Sequence, residues 1–292
     1  MNRLKFVKSN RNQLSRPARL LNFFMLAVLL VSMIIPFLNV LAVAFSSAKA
    51  SVASGVTLFP QAFSLSGFVF IWRNQNLWLP FFNSLFISSV GTFFQVFLSA
   101  LVGYILTKKD LPFRKSITTF ILITMMIPGE LTLVSIYSLN KDLGLLNTYA
   151  GLIINGLISG FGILMMSNYF LSIPQSLIET AQIDHAGEWK IFRTIYLPLS
   201  VPGLTTVGFI SFVSKWNSLL LPVTITTDQN KFTLPVVLQT LIFNNSANSG
   251  TTYIPPNALM AGIVISVVPL IIAYIIAQRF LISGMTLGAI KG

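Results

Sequence analysis

A chain of 292 residues that is 54% hydrophobic and only 9% charged, with a mean hydropathy of +0.79, cannot cover a water-facing surface with polar groups. Soluble domains carry about 25% charged residues, so the bilayer is the solvent for most of this chain. With no cysteine and one histidine, His185, disulfides and thiolate metal sites are excluded, and imidazole catalysis and multi-His metal sites are disfavoured. The net charge of +12 is divided among short clusters between apolar runs, a pattern that sets membrane topology and argues against nucleic acid.

The chain opens on a basic tail, about residues 1–19. Crossing ~30 Å of hydrocarbon at ~1.5 Å per residue takes ~20 mostly apolar residues. Six runs meet this, at about 20–45, 80–106, 116–138, 149–172, 201–222 and 258–282. The first is too long in its apolar part, and followed by too many others, to be a cleavable signal peptide. They predict an all-α integral membrane protein with six transmembrane helices in one domain, 20–292.

Lysine and arginine counts orient it. The tail holds Arg3, Lys5, Lys8, Arg11, Arg16 and Arg19, and the loop KKDLPFRK holds Lys108, Lys109, Arg114 and Lys115. Lys190, Arg193, Arg279 and Lys291 fall on the same side, against Lys49, Arg73, Lys141 and Lys231 on the other. Both termini and the segment 173–200 are therefore expected on the cytoplasmic side.

The third and fifth runs each carry a charge fourteen residues past their start, Glu130 and Lys215. On straight helices both lie ~21 Å from the cytoplasmic end. Charges inside a membrane are costly and face a cavity or each other. Either the two line one polar cavity together with Asn217, or they form a structural pair, or Lys215 snorkels outward. Pro128-Gly129 would loosen the helix beside Glu130. Trp216 suits either ring stacking or an interfacial anchor. In the fourth run, Gly156 and Gly160 form a GxxxG that permits close helix contact.

The stretch ETAQIDHAGEWKIFRTIYLPLSVP, Glu179 to Pro202, collects three of the chain's seven acidic residues and its histidine. Pro174 signals a helix start, and nothing breaks the helix before Asp184. His185-Ala186-Gly187 reads as a turn. A second short helix from Glu188 to Tyr196 would present Trp189, Phe192 and Ile195 or Tyr196, before Pro198 and Pro202 end it. Such an apolar face needs a partner, either a membrane surface or a protein. Its mix of acids and bases speaks for protein, since membrane-surface helices favour a Lys/Arg-rich polar face. Beyond the fifth run, the outside segment 223–257 is polar and turn-rich around the apolar LPVVLQTLIF, suiting a partner-binding arm or a structural cap.

Glu179-Thr180-Ala181, Asp184 and Ile195-Tyr196-Leu197-Pro198 resemble the EAA signature of binding-protein-dependent ABC importer permeases. The carboxyl end AQRFLISGMTLGAIKG and the segment LNKDLGLLNTYAGLI are similar to the sugar permeases related to the maltose permease, in their oligosaccharide and polysaccharide-fragment branch. Two positions depart from the signature: Thr180 stands where it has an alanine, and His185 replaces a glycine that suggests φ > 0. Histidine is among the few non-glycine residues enriched in that region.

The resemblance implies the type I importer permease architecture, in which 173–200 is a coupling helix seated in a cleft of a cytoplasmic ATPase. Glu179, Thr180, Ala181, Asp184, His185, Ala186, Gly187, Leu197 and Pro198 would make or shape that contact. It implies a second permease, two ABC ATPase subunits, an extracellular solute-binding protein, and a bacterial plasma membrane. ATP and Mg would sit on the partner ATPases, since no phosphate-binding loop is recognisable here. Glu130, Lys215, Trp216 and Asn217 become substrate-path candidates, and Asn244, Asn245, Asn248 and Tyr253 binding-protein contacts. The tail Gly284–Gly292 is a further candidate ATPase contact. Rival readings are an ABC permease for another solute, an ion-coupled carrier and a membrane-embedded enzyme.

Overall fold

The structure, a computed structural model, describes residues 16–53, 55–246 and 253–289, with side chains for 17–53, 55–243 and 253–281. Its helices are α1 (Arg16–Ala44), α2 (Ser66–Asn74), α3 (Trp78–Ile105), α4 (Arg114–Met125), α5 (Leu133–Asp142), α6 (Tyr149–Ile154) and α7 (Gly160–Leu171). There follow α8 (Gln175–Ile183), α9 (Glu188–Ile191), α10 (Leu197–Leu199), α11 (Val201–Trp216), α12 (Leu220–Ile225), α13 (Leu234–Ser246) and α14 (Pro256–Ala289). Among the described residues the β-pairing is one isolated bridge, Ser46 to Phe63.

Three helices are long and apolar enough to cross a membrane, over Pro17–Ala44, Trp78–Ile105 and Pro256–Leu281. Counting each of three bent helix pairs as one span raises the number to as many as six: Arg114–Met125 with Gly129–Asp142 at 89°, Gly160–Leu171 with Gln175–Ile183 at 76°, and Glu188–Leu199 with Val201–Trp216 at 77°.

Within the predicted runs, the third, fourth and fifth are also not the continuous helices that hydropathy predicts. The third breaks after Met125, because Pro128 lacks an N–H and drives the residue before it out of helical geometry. The fourth breaks at 155–159, where Ser159 restarts it by accepting from the Gly162 N–H at 3.1 Å. The fifth ends at Trp216, and α12 restarts with Pro222 in its first turn.

The chain divides into two compact units, Met1–Phe68 with Pro255–Ala261, and Val69–Ile254 with Gly262–Gly292. In the first, Phe45 packs on Phe63 and Phe68 at 5.8 and 4.9 Å between ring centres. The Asn257 amide donates to the Ser46 carbonyl at 3.0 Å. A Cβ on Gly67 would stand 2.7 Å from the Asn257 carbonyl oxygen, so only glycine permits that approach.

In the second unit α3 packs against α7 and α11. Small residues set the α3–α7 distance: a Cβ on Gly103 would lie 2.9 Å from the Met166 Cβ, and one on Gly162 would lie 2.6 Å from the Ser99 Oγ. The GxxxG at Gly156 and Gly160 does not act as a helix-packing motif, because Gly156 lies in the break and Gly160 opens α7. They meet different partners, Lys215 and Met125 respectively.

Candidate functional site

The hairpin from Ile173 to Ser200 is built as the sequence predicts at its bend. The Ala186 N–H donates to the Ala181 carbonyl and the His185 N–H to the Gln182 carbonyl, both at 3.0 Å. Together these are the two bonds of a Schellman cap on α8, with Asp184 as the last half-helical residue. The residue after it must take positive φ, and His185 does so at +52°. Gly187, two residues on, is open on its Cβ side.

The hairpin is anchored from above by an aromatic cluster. Tyr104, Phe170, Phe192 and Tyr196 interlock at ring-centre distances of 4.8 to 6.5 Å, with Met166, Ile178, Ile191 and Val207 around them. Phe192 and Tyr196 are thus buried, not displayed to a partner as their spacing suggests. A π-helical stretch, Phe192–Tyr196, between α9 and α10 turns both rings upward. Trp189 and Ile183 are left exposed, at 59% and 77%.

Beneath this cluster Thr180, Ala181, Asp184 and Pro198 line one open groove of about 420 Å³ together with Leu177, Thr194, Ile195 and Leu199. Signature residues eighteen positions apart in the chain thereby form one surface. Glu179, His185 and Gly187 are exposed beside it, Ala186 is half-buried, and Leu197 packs upward against the core.

A clasp not read from the sequence ties the bend to the end of α3. Glu188 accepts hydrogen bonds from Lys108 and from the Tyr104 hydroxyl, and the Lys108 ammonium lies 4.4 Å from the Tyr104 ring centre. The hydrogen bond from Lys108, followed by that from Tyr104, holds the Glu188 carboxyl below its usual range. Burial pulls Lys108 down, but the bonds with Glu188 and Tyr104 outweigh it and raise the ammonium. A Tyr and a Lys four residues apart at a helix end were the available signal; their partner 80 residues on was not.

The intramembrane candidates are separated. Lys215 donates to the Gly156 carbonyl at 2.7 Å and borders a cavity of about 270 Å³ with Ser88, Gln95 and Thr233. Glu130 and Asn217 border a neighbouring cavity, of about 680 Å³, with Asn155, and the two cavities share Ser214, Ser218 and Leu221 in their walls. Among the described residues Lys215 forms no ion pair, so the expected Glu130–Lys215 pair is not made. The break after Met125 takes Glu130 off α4 into a 3₁₀ turn, and equal sequence depth no longer means facing positions. Trp216 is packed inside the second unit. It is 1% exposed, donates to the Ser266 carbonyl at 2.9 Å and stacks on Phe212.

All three breaks open onto these cavities, as irregular backbone at membrane depth requires. A polar stripe missed in the sequence, Ser84, Ser88 and Gln95 along one face of α3, lines the smaller cavity. Its spacing of four and seven was legible as a helical face.

At the start of α3, the Asn83 amide donates to the Asn230 and Phe232 carbonyls at 2.9 and 3.0 Å, and the Leu234 N–H donates to Ser84 Oγ at 2.7 Å. These bonds fix the start of α13, whose Leu234, Val236 and Leu238 are buried, so the apolar run LPVVLQTLIF serves as a cap. Tyr253 is exposed. Asn248, the side chains of Asn244 and Asn245, and those of the tail from 282 onward lie outside the described residues, as does most of the basic amino-terminal segment.

Residues 95–287 match the family described as binding-protein-dependent transport system inner membrane component. The chain is 32% identical over 262 residues to the arabinooligosaccharides transport system permease protein AraQ of Halalkalibacterium halodurans, covering 89% of this chain and 91% of that one. It is 30% identical over 267 residues to the polygalacturonan/rhamnogalacturonan transport system permease protein YtcP of Bacillus subtilis, covering 89% and 93%. Its fold matches a chain in the crystal structure of a bacterial ABC transporter involved in import of the acidic polysaccharide alginate. The TM-score is 0.82 at 25% identity, covering 91% of this chain and 98% of that one.

Proposed function

The chain belongs to the family of binding-protein-dependent transport system inner membrane components, and from that premise we propose that it is the permease subunit of an ATP-driven importer of oligosaccharides. Proteins similar to it are named for transport of arabinooligosaccharides, polygalacturonan/rhamnogalacturonan and alginate, which supports a saccharide without choosing among them. The translocation path forms between this chain and a second permease. Both termini are cytoplasmic, a solute-binding protein delivers from outside, and ATP with Mg is bound and hydrolysed by two partner ATPases.

The observation that carries this reading is the hairpin. A Schellman turn with His185 at φ +52° brings Thr180, Ala181, Asp184 and Pro198 to one open groove, while the aromatic cluster above holds the hairpin to α3, α7 and α11. That arrangement transmits a push on the groove to three membrane helices. Extracellular contact falls to the segment around α13 and Tyr253.

The test is transport by the complex of both permeases and the ATPases in liposomes with its binding protein present. Uptake of labelled oligosaccharide is expected only with ATP inside. A single cysteine at Ala186, the first in this cysteine-free chain, is expected to crosslink to an ATPase subunit. Uptake that proceeds without ATP makes the protein a carrier and ends the proposal.

A further inference from the structure

We propose that the cavity beside Lys215 is a subsite for a carboxylate-bearing sugar ring, so that the importer carries acidic oligosaccharides. The inference rests on the transport reading above and narrows its substrate class. A lysine at membrane depth is retained where it faces a cavity or a counter-charge. Lys215 faces the cavity, and among the described residues it makes no ion pair.

Two glycines hold it there. A Cβ on Gly91 of α3 would sit 3.0 Å from the Lys215 Cδ, and a Cβ on Gly156 would sit 2.6 Å from its Nζ. The stem is therefore threaded between α3 and the break at 155–159, which keeps the ammonium from snorkelling to the surface. Nζ spends one hydrogen bond on the Gly156 carbonyl and has two more to give.

Around it the lining is polar and unsatisfied. Ser88 Oγ and Thr233 Oγ1 are buried and have no hydrogen-bond partner, and Gln95 adds an amide. A buried hydroxyl without a partner costs on the order of 1–3 kcal/mol; both sit in the cavity wall with almost no accessible surface, so each meets a ligand by turning toward it. One cation, two hydroxyls and an amide around about 270 Å³ match a single sugar ring with one carboxylate. A neutral ring would satisfy the hydroxyls and leave the ammonium unpaired.

The test uses the whole importer in liposomes with its binding protein. Uptake of a galacturonate trisaccharide is compared with that of its carboxyl-reduced, neutral counterpart. The native importer is expected to carry the acidic sugar, and Lys215→Gln to lower acidic relative to neutral uptake roughly tenfold. Gly156→Ala keeps the charge but displaces Nζ and is expected to lower the same ratio. The ratio is taken within one preparation and so is insensitive to how much of each variant folds. An unchanged ratio in Lys215→Gln, or a native importer that carries the neutral sugar alone, overturns the proposal. It is equally overturned if Lys215→Gln releases the second permease from the purified complex, which would make the counter-charge a side chain. Absence of ATP-dependent uptake of either sugar would instead remove the importer reading itself.

Discussion

His185 bears the conformational cost of the hairpin. Its positive φ closes the cap on α8, and left-handed geometry costs a non-glycine residue about 1–2 kcal/mol, less for histidine than for most. His185→Gly is thus expected to leave ATP-driven uptake near the native level. His185→Val, with a β-branched side chain that tolerates positive φ poorly, is expected to reduce uptake about tenfold or more while ATP hydrolysis persists. Measuring both rates in the reconstituted complex checks this; equal coupling in the two variants would show that the turn does not set the docking angle. The turn was legible because a glycine-type position leaves a local mark. The burial of Trp216 was not, since beside Phe212 on its own helix its partners Phe81 and Ser266 come from two distant segments.

Between elements, the clasp of Lys108 and Tyr104 on Glu188 ties the end of α3 to the start of α9. Glu188 has a lowered pKa, so its contribution is present above the unfolded value of about 4.3 and is lost as pH falls through the lower folded value. Lys108 has a raised pKa, so its contribution is present below about 10.4 and is lost as pH rises through the higher folded value. The clasp is therefore complete across neutral pH. With the Glu188 side chain 60% exposed, solvent screening holds its worth to about 1 kcal/mol or less. Glu188→Gln is expected to unfold a few degrees below the native protein at pH 7. That gap should close as pH falls below about 4. Thermal unfolding followed across that range checks it, and a gap that widens in acid would contradict the sign. The broken spans belong to this scale too. Pro128 announced one break in the sequence, whereas the break at 155–159 is decided by Asn155 and Ser159 side chains capping backbone groups.

At the scale of the molecule, the lysine and arginine asymmetry predicts a single orientation. A cysteine placed at Lys109 should react with an impermeant thiol reagent only from the cytoplasmic side, and one placed at Gln229 only from outside; the opposite pattern would invert the topology. Membrane residence, the number of crossings and their boundaries at α1, α3 and α14 follow from the sequence alone, because hydropathy and loop charge are sums over consecutive residues. The signature and its turn also lie within one short stretch. What the sequence could not decide is which faces meet once helices break. Glu130 and Lys215 are matched in depth yet border different cavities, and Phe192 and Tyr196 point into the protein rather than away from it. Those outcomes depend on contacts between residues tens of positions apart. Only packing settles them, since one interrupted turn rotates every side chain beyond it to a new face.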